Sequence, residues 1–284
     1  MKFGMFGINL GVCADADAVR RVAIAAEHAG FDSLWTGEHV VLPDPHVPPS
    51  PVPPDYPFLD PAVALAYAAA YTSKILLATG VIILPQRNPL VLAKELASLD
   101  VLSGGRLVFG IGVGYLEPEF VALGIPFDRK GARTNEYIEA IRALWTEASP
   151  AYEGRFVRFS GIQAMPRPLR KPHPPLVLGG QSAPSFARAV RYGNGWYGFS
   201  LDPGQTAECL KALRSAAART PRPQGLGSLE ITITPPPGTQ LNADLVGRYR
   251  DLGVDRLVPY PIVGSADDLV AWLEHDGAEL VLNP

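Results

Sequence analysis

Two residues able to move protons stand side by side in the chain, at Glu38 and His39. They follow the apolar run Ser33–Thr36, a pattern typical of a short buried strand. Side chains at the end of such a strand point into the mouth of a barrel, where enzymes of that architecture keep their active sites. A carboxylate tunes the protonation of a neighbouring imidazole, so the pair is a candidate general acid and base. The alternative is a histidine that only hydrogen-bonds its own loop.

A glycine-rich segment, Gly110–Gly114, follows another predicted strand. Its spacing is not the Gly-x-Gly-x-x-Gly of dinucleotide-binding folds, and it lacks the Lys-Ser or Lys-Thr of a P-loop. We expect Pro118 to delay any helix that follows. Glycines at such a position predict that the strand end comes close to a flat ligand or to another stretch of backbone. Gly80, at the end of a third strand, is interpreted in the same way.

The best candidate for an anion site is the segment Gly179, Gly180, Gln181 and Ser182. It connects a predicted strand to a predicted helix, and the proline that follows suits the first turn of that helix. The free N–H groups at the start of a helix, together with the serine hydroxyl, form a ready site for a phosphate group. The alternative is that Ser182 simply caps the helix, a contribution of about 1 kcal/mol.

The other histidines do not suggest a metal site. His28 lies inside a predicted helix, His46 and His173 stand among prolines, and His275 ends a helix. None of them forms a His-x-His or His-x3-His pair of the kind that binds zinc. We therefore expect no metal in the active site.

Short apolar runs alternate with helical patterns along the whole chain and form eight strand–helix units. The strands are apolar on both faces, as a parallel sheet requires when both of its faces are buried. Eight units in 284 residues predict an α/β protein with a (β/α)8 TIM barrel as a single domain, residues 1–284. An open, doubly wound sheet is the alternative, because alternation does not reveal closure. The predicted strands cover residues 2–8, 33–36, 75–84, 107–111, 175–178, 195–199, 229–234 and 255–261, and the predicted helices cover 15–29, 61–71, 89–102, 131–147, 184–192, 204–218, 242–252 and 266–275.

Two of the connections are unusually long. Residues 37–60, after the second strand, contain eight prolines, which stiffen the loop and suit it to form a wall or lid. Residues 149–174, before the fifth strand, are rich in arginine and proline. Both loops are expected to be irregular.

The composition excludes several classes of function. Apolar residues make up 47% of the chain and charged residues 19%, which is typical of a globular protein with a sizeable core. A formal net charge of −3 offers no basic field for nucleic acid. No stretch reaches the roughly 20 apolar residues of a membrane helix. The N-terminus resembles an export signal up to Cys13, but we interpret it as a buried first strand. The chain has two cysteines, Cys13 and Cys209, which cannot form a disulfide framework, and this favours a location in the reducing cytoplasm.

Several short motifs stand in a characteristic order along the chain. They are WTGEH at 35–39, TGV at 79–81, AKELASLD at 93–100, SGGRL at 103–107, GIGVG at 110–114, GG at 179–180 and GNGW at 193–196. Their combination resembles the bacterial luciferase-like oxidoreductases, particularly the branch that uses coenzyme F420, a deazaflavin. The resemblance runs from Lys2 to about Phe199 with the motifs in order, and more loosely to the end of the chain.

The resemblance implies a TIM barrel that holds the cofactor ring at its mouth and the phosphate tail over the fourth and fifth strands. Behind the ring it implies a non-prolyl cis peptide between Gly80 and Val81. Glu38 and His39 are implied to lie beside the ring. The other cofactor-binding residues that it implies are Gly114, Tyr115, Gly179, Gly180, Gln181 and Ser182.

The activity implied by the resemblance is hydride transfer between F420 and a small organic substrate. His39 would exchange the proton that accompanies the hydride, and Glu38 would tune the protonation of His39. A homodimer through the helices at 61–71 and 89–102 is implied as well. An FMN-dependent luciferase-like monooxygenase fits the same motifs, and a deazaflavin- or flavin-binding protein without turnover is an alternative of another class. A sugar-phosphate isomerase without a redox cofactor is a more distant one.

Three features depart from the pattern of that family. Asn194 stands where the family usually has aspartate, which removes a charge at the start of the sixth strand. The acidic residue that often follows the glycines of the fourth strand is displaced by Tyr115, with Glu117 and Glu119 further on. The C-terminal third, which often shapes the substrate pocket, is short.

Overall fold

Eight parallel strands close into a barrel in the computed structural model, which describes residues 1–282. Each barrel strand pairs with the next one along the chain, and the last pairs with the first. The predicted (β/α)8 TIM barrel is therefore confirmed, and the open sheet is excluded. The last two residues of the predicted domain 1–284 lie outside the described part. The strands are β1 (Lys2–Phe6), β2 (Ser33–Thr36), β3 (Leu76–Thr79), β4 (Ile82–Ile83), β5 (Leu107–Gly112), β6 (Tyr152–Glu153), β7 (Arg158–Phe159), β8 (Leu176–Gly179), β9 (Gly195–Phe199), β10 (Glu230–Thr234) and β11 (Arg256–Leu257).

Helices surround the barrel and return the chain from the end of one strand to the start of the next. Across residues 1–282, no helix is long and apolar enough to cross a membrane. The helices are α1 (Ala16–His28), α2 (Pro61–Ala69), α3 (Pro89–Leu102), α4 (Glu117–Ala122), α5 (Lys130–Thr146), α6 (Ala183–Tyr192), α7 (Pro203–Ala217), α8 (Ala243–Asp251), α9 (Ala266–Trp272) and α10 (Ala278–Leu282). Single turns of 3-10 or π helix lie at Gly11–Cys13, Leu84–Gln86, Gln224–Leu226 and Leu273–Gly277.

Polar caps explain where the helices begin. Asp15 accepts a hydrogen bond from the Ala18 amide at the start of α1, and Asp60 accepts two at the start of α2. Asn88 does the same for α3. Each cap satisfies N–H groups that a helix leaves without intrahelical partners, which is worth about 1 kcal/mol. These caps hold the loops that precede the helices, and those loops form the mouth of the barrel.

The structure corrects the sequence-based elements in three places. The predicted strand 75–84 is two strands, because the chain bends after Thr79 and resumes at Ile82. The loop 149–174 contains the antiparallel hairpin of β6 and β7. Pro118 does not delay the next helix: it lies in the first turn of α4, where a missing N–H breaks no intrahelical bond.

The barrel interior is filled by a cluster of its own, separate from the apolar layer between strands and helices. The rings of Trp35 and Tyr197 stack at its centre with their centroids 5.0 Å apart. Such a pair contributes about 0.5–1.5 kcal/mol beyond the area it buries. The buried members of the interior cluster are Phe6, Leu10, Trp35, Ala78, Val108, Val177, Tyr197 and Val258. The interior is thus a packed core, and ligands must bind at one end of it.

An ion-pair network lies at the end of the barrel where the strands begin. The buried guanidinium of Arg256 donates to Asp32 at 2.8 Å and also pairs with Glu230. Lys2 extends the network to Glu230 at 2.7 Å. Because these paired side chains occupy the barrel interior at the amino ends of the strands, the candidate active-site residues collect at the carboxyl ends.

Candidate active site

His39 lies three residues beyond the end of β2 and is held by a carboxylate from another part of the chain. Its Nδ1 is 3.3 Å from Oε2 of Glu119, in the first turn of α4. The other oxygen of Glu119 accepts a hydrogen bond of 2.6 Å from the Val40 amide. Burial raises the pKa of the Glu119 carboxyl, but the hydrogen bonds from His39 and Val40 outweigh it, so the pKa lies below its usual value. Glu119 is therefore an ionised group that fixes the imidazole.

The opposite edge of the imidazole meets a tyrosine at the open mouth. Nε2 of His39 is 3.4 Å from the hydroxyl of Tyr115, and the two rings meet edge to face. Phe58 packs against His39 in the same manner, with centroids 5.6 Å apart. Since Nδ1 donates to Glu119, Nε2 is left to accept or release a proton. The Tyr115 side chain is 51% exposed, so this side of the histidine faces the mouth.

Glu38 forms its hydrogen bonds with Ile83 and Arg87, whereas the sequence-based expectation paired it with His39. Its carboxylate accepts hydrogen bonds from the Ile83 amide and, at 2.9 Å, from Nε of Arg87. Nη2 of Arg87 also contacts Glu38 and bonds Asp60 at 2.6 Å. Burial raises the pKa of the Glu38 carboxyl, and the Arg87 guanidinium opposes that shift. Both residues follow Thr36, the last residue of β2, and in this loop each side chain meets a different partner.

The glycines at the ends of β5 and β8 make room for the segment after β3. The peptide bond between Gly80 and Val81 is cis, as the resemblance implies. A Cβ on Gly112 would lie 2.5 Å from Cγ2 of Val81, and one on Gly179 would lie 3.1 Å from its Cγ1. A Cβ on Gly110 would come closer still to its neighbour, because it would lie 1.7 Å from the carbonyl oxygen of Thr79. The close approach predicted for the GIGVG segment is therefore an approach to backbone and to Val81.

The predicted anion-binding turn is exposed and leads directly into α6. Gly180 has a φ of +114°, which favours glycine, and the exposed Gln181 donates to the Phe199 carbonyl at 2.8 Å. The Ser182 amide donates to Oγ of Ser185 at 2.8 Å, and Oγ of Ser185 donates back to the Ser182 carbonyl at 2.7 Å. This is a capping arrangement at the start of α6, and it leaves the turn open at the rim.

The structure brings the predicted residues together in two groups. His39 and Tyr115 form one group, joined by the unpredicted Glu119. Val81 and Gly179 form the other, and this group continues into the turn at Gly180–Ser182. Gly114 has a φ of +74° and lies against Ile83 and Phe120, within the wall beside Tyr115.

Sequence reasoning missed the roles of Glu119 and Arg87. Glu119 is fully buried in a short helix beside the buried Phe120. Its position between apolar residues was the feature of the sequence that could have indicated a buried carboxylate. Arg87 lies just before the cap of α3, where nothing in its neighbourhood indicates a partner 49 residues earlier.

The residues at the mouth fit a flat aromatic cofactor with an anionic tail. Tyr115 and Phe199 expose large parts of their rings there, which suits stacking or edge contacts with a planar ring. The exposed turn Gly180–Ser182 lies at the amino end of α6, where backbone N–H groups and the helix dipole favour a phosphate. Within residues 1–282, no group of three His, Cys, Asp or Glu side chains is placed to hold a metal ion.

Known proteins resemble this chain in sequence and in fold. The family model described as luciferase-like monooxygenase matches residues 1–241. The uncharacterized protein Rv0953c of Mycobacterium tuberculosis is 34% identical over 266 residues, which cover 90% of this chain and 91% of that protein. The crystal structure of the monooxygenase RslO1 from Streptomyces bottropensis has a TM-score of 0.76 at 25% identity and covers 99% of both chains. An F420-dependent secondary alcohol dehydrogenase in complex with an F420-acetone adduct shares the fold, with a TM-score of 0.76 at 15% identity over 98% of both chains.

Proposed function

The chain belongs to the luciferase-like monooxygenase family, and on that premise we propose that it is an F420-dependent oxidoreductase that transfers a hydride between the deazaflavin and a small organic substrate. The observation that carries the proposal is His39, fixed by the buried carboxylate of Glu119 and facing the mouth through Nε2. The shared fold with an F420-dependent secondary alcohol dehydrogenase supports the choice of cofactor and substrate class.

The chemistry at the mouth divides between the cofactor and the protein. Coenzyme F420, when bound, supplies the hydride donor or acceptor. His39 takes up or releases the accompanying proton at Nε2, because Nδ1 is engaged with Glu119. Glu119 stabilises the positive charge that His39 gains when it is protonated. Tyr115 lies over the free edge of the imidazole and would contact the substrate or the ring.

The remaining site residues would bind and orient the cofactor. Val81, Gly114 and Tyr115 would lie against the ring, and Gly80 would let the backbone approach it. The turn formed by Gly179, Gly180, Gln181 and Ser182 would hold the phosphate through backbone N–H groups other than that of Ser182, which donates to Ser185. Glu38 acts indirectly in this scheme, because its bonds to Ile83 and Arg87 fix the wall of the mouth.

The experiment that tests the proposal is a parallel titration of the purified protein with F420 and FMN, each oxidised and reduced. We expect F420 to bind at micromolar concentration and FMN to bind at least tenfold more weakly. A preference for reduced FMN would instead support the oxygen-activating alternative. Binding of F420 without turnover of any alcohol, aldehyde or ketone in a substrate screen would favour the binding protein, and binding of neither cofactor would refute the proposal.

The role of His39 is tested separately by His39→Ala. We expect this variant to bind F420 normally and to lose about 10²–10⁴-fold in turnover, the usual range for removal of a general acid or base. His46→Ala is the matched control, because His46 lies in the same loop and its Nε2 lies 3.1 Å from the Ser50 carbonyl, away from Glu119 and Tyr115. Full turnover in His39→Ala would end the assignment.

We also propose that the protein is a cytoplasmic homodimer joined through α2 and α3. Both helices expose large apolar side chains, namely Val63 on α2, Tyr71 just after it, and Val91 and Leu102 on α3. Exposed apolar side chains on neighbouring helices are typical of an interface. Sedimentation at micromolar concentration should give the mass of a dimer, and Val63→Asp combined with Val91→Asp should give a monomer. A monomeric wild-type protein would contradict the proposal.

A further inference from the structure

A cavity of about 360 Å³ opens at the end of the barrel opposite the mouth, beside the starts of β8 and β9. Its lining includes three cationic side chains: Arg142 from α5, and Arg170 and Lys171 from the segment that leads to β8. We propose that this cavity binds a small molecule carrying a phosphate or pyrophosphate group, at a site separate from the proposed active site. The volume falls within the range of small-molecule sites, which is about 300–1,000 Å³.

The charge of the cavity is not neutralised by the protein. In the described part of the chain, none of the three cations forms an ion pair with a carboxylate, and no lining residue is acidic. Oδ2 of Asp100 accepts a hydrogen bond of 3.0 Å from the backbone amide of Arg170 rather than from its guanidinium. Three cations around one concave surface raise the local concentration of anions and favour those of high charge.

The wall facing the cations is rigidly built. Arg222 donates four hydrogen bonds to backbone carbonyls: to Val190 and Gly193 at 2.9 Å, to Gly227 at 2.8 Å and to Leu226 at 3.2 Å. These bonds tie the turn after α7, which lines the cavity, to the end of α6. A ligand therefore meets a preformed wall and loses little free energy to ordering it.

Two neutral polar side chains complete the lining. His173 is buried, and its Nδ1 donates to the Pro174 carbonyl at 2.8 Å, so Nε2 of the neutral ring carries no proton and accepts hydrogen bonds rather than donating them to a phosphate oxygen. Oδ1 of Asn194 accepts from the Leu176 amide at 2.9 Å, which leaves its NH2 group as a donor. An amide at Asn194 adds a donor for phosphate oxygens where a carboxylate would repel them.

The position of the cavity distinguishes it from the proposed phosphate turn of the cofactor. Pro175 and Asn194 precede β8 and β9, whereas Gly180 and Ser182 follow the carboxyl end of β8. The two sites lie at opposite ends of the same strands. A substitution at one end can therefore test which of them holds an anion.

The test is calorimetric titration of the whole protein with sodium pyrophosphate at about 0.15 M salt, where weak surface attraction is screened. We expect saturable binding with a Kd below about 1 mM. Arg142→Gln and Lys171→Gln should each raise the Kd at least tenfold, with circular dichroism spectra equal to the wild type. Arg214→Gln, on an exposed face of α7, should leave the Kd unchanged. Ser182→Asp, at the mouth, removes any pyrophosphate held by the proposed phosphate turn, so the binding that persists in this variant is the binding of the cavity.

Three results would overturn the proposal. The first is the absence of saturable heat up to about 10 mM pyrophosphate. The second is an equal loss of affinity in Arg214→Gln, which would show a non-specific response to net charge. The third is abolition of binding by Ser182→Asp with no effect of Arg142→Gln and Lys171→Gln, which would move the anion to the mouth.

Discussion

His39 and Glu119 are 80 residues apart in the chain, and Nδ1 of the histidine lies 3.3 Å from a carboxylate oxygen of the glutamate. One residue lies in the loop after β2, and the other lies in the short helix that follows β5. The barrel brings the two loops together at its mouth, and the backbone amide of Val40 holds the second oxygen of Glu119 at 2.6 Å. A buried carboxylate with both oxygens engaged orients the imidazole rather than reacting itself.

Glu119→Gln should lower turnover by about 10–100-fold with little change in the KM for the substrate. The amide keeps the size of the side chain but no longer stabilises a protonated His39, so the loss falls on the chemical step. Glu117→Gln is the control, because Glu117 is exposed one position before Pro118. Steady-state kinetics with F420 would measure both. A rise in KM at unchanged turnover would contradict the orienting role.

The same carboxylate should make the protein sensitive to acid. The folded pKa of Glu119 lies below its usual value of 4.5, so its charged form stabilises the folded state above that value. This contribution is lost as the pH falls below 4.5 and through the folded pKa. Urea unfolding at a series of pH values should therefore show the wild type losing more free energy of unfolding than Glu119→Gln over that range. Parallel pH profiles for the two proteins would refute the assignment.

Arg87→Leu should cost about 3–5 kcal/mol of unfolding free energy, because it strands the buried carboxylate of Glu38 without its guanidinium partner. The double variant Glu38→Gln with Arg87→Leu should recover part of the loss, since no buried charge is left unpaired. Urea denaturation of both single variants and the double variant would give the coupling between the two side chains. Additive losses would show that the pair is not coupled.

The fold was predictable because each barrel strand and helix carries its own local pattern. The apolar run of β5 and the capped amphipathic pattern of α1 depend on residues close together in the chain. The hairpin of β6 and β7 was not predictable, because strands of two residues carry no periodicity. The break after β3 was indicated by Gly80 alone as a point of close approach, and the family resemblance added the cis peptide between Gly80 and Val81.

The candidate site was predictable only in part, because only some of its features leave a local pattern in the sequence. Glycines at strand ends reveal where backbone must come close, as at Gly112 and Gly179 beside Val81. The choice of a charge partner depends on the closed barrel. Glu38 therefore pairs with Arg87, and His39 pairs with Glu119, although Glu38 and His39 are adjacent in the sequence. Proximity along the chain was misleading because both residues lie in the loop after β2, where the closed barrel brings a different partner to each.

Arg106→Lys should destabilise the protein by about 2–4 kcal/mol, although the substitution preserves the charge. Arg106 is buried, and its guanidinium donates five hydrogen bonds. The acceptors are the carbonyls of Ser103 at 2.6 Å, Thr72 and Ile75 at 3.0 Å and Ala69 at 3.1 Å, and the Thr72 hydroxyl at 2.8 Å. These bonds join the end of α2 to the start of β3 and the end of α3.

A lysine ammonium has three donors on one atom and cannot reach this spread of acceptors, so several buried carbonyls would lose their partners. Burial already lowers the pKa of Arg106, and a lysine there would resist charging more strongly because its usual pKa is lower. Urea denaturation should give the loss, with Arg214→Lys on an exposed face of α7 as the control that changes stability by less than about 0.5 kcal/mol. If Arg106→Lys were as stable as that control, the guanidinium would not be what joins α2, β3 and α3.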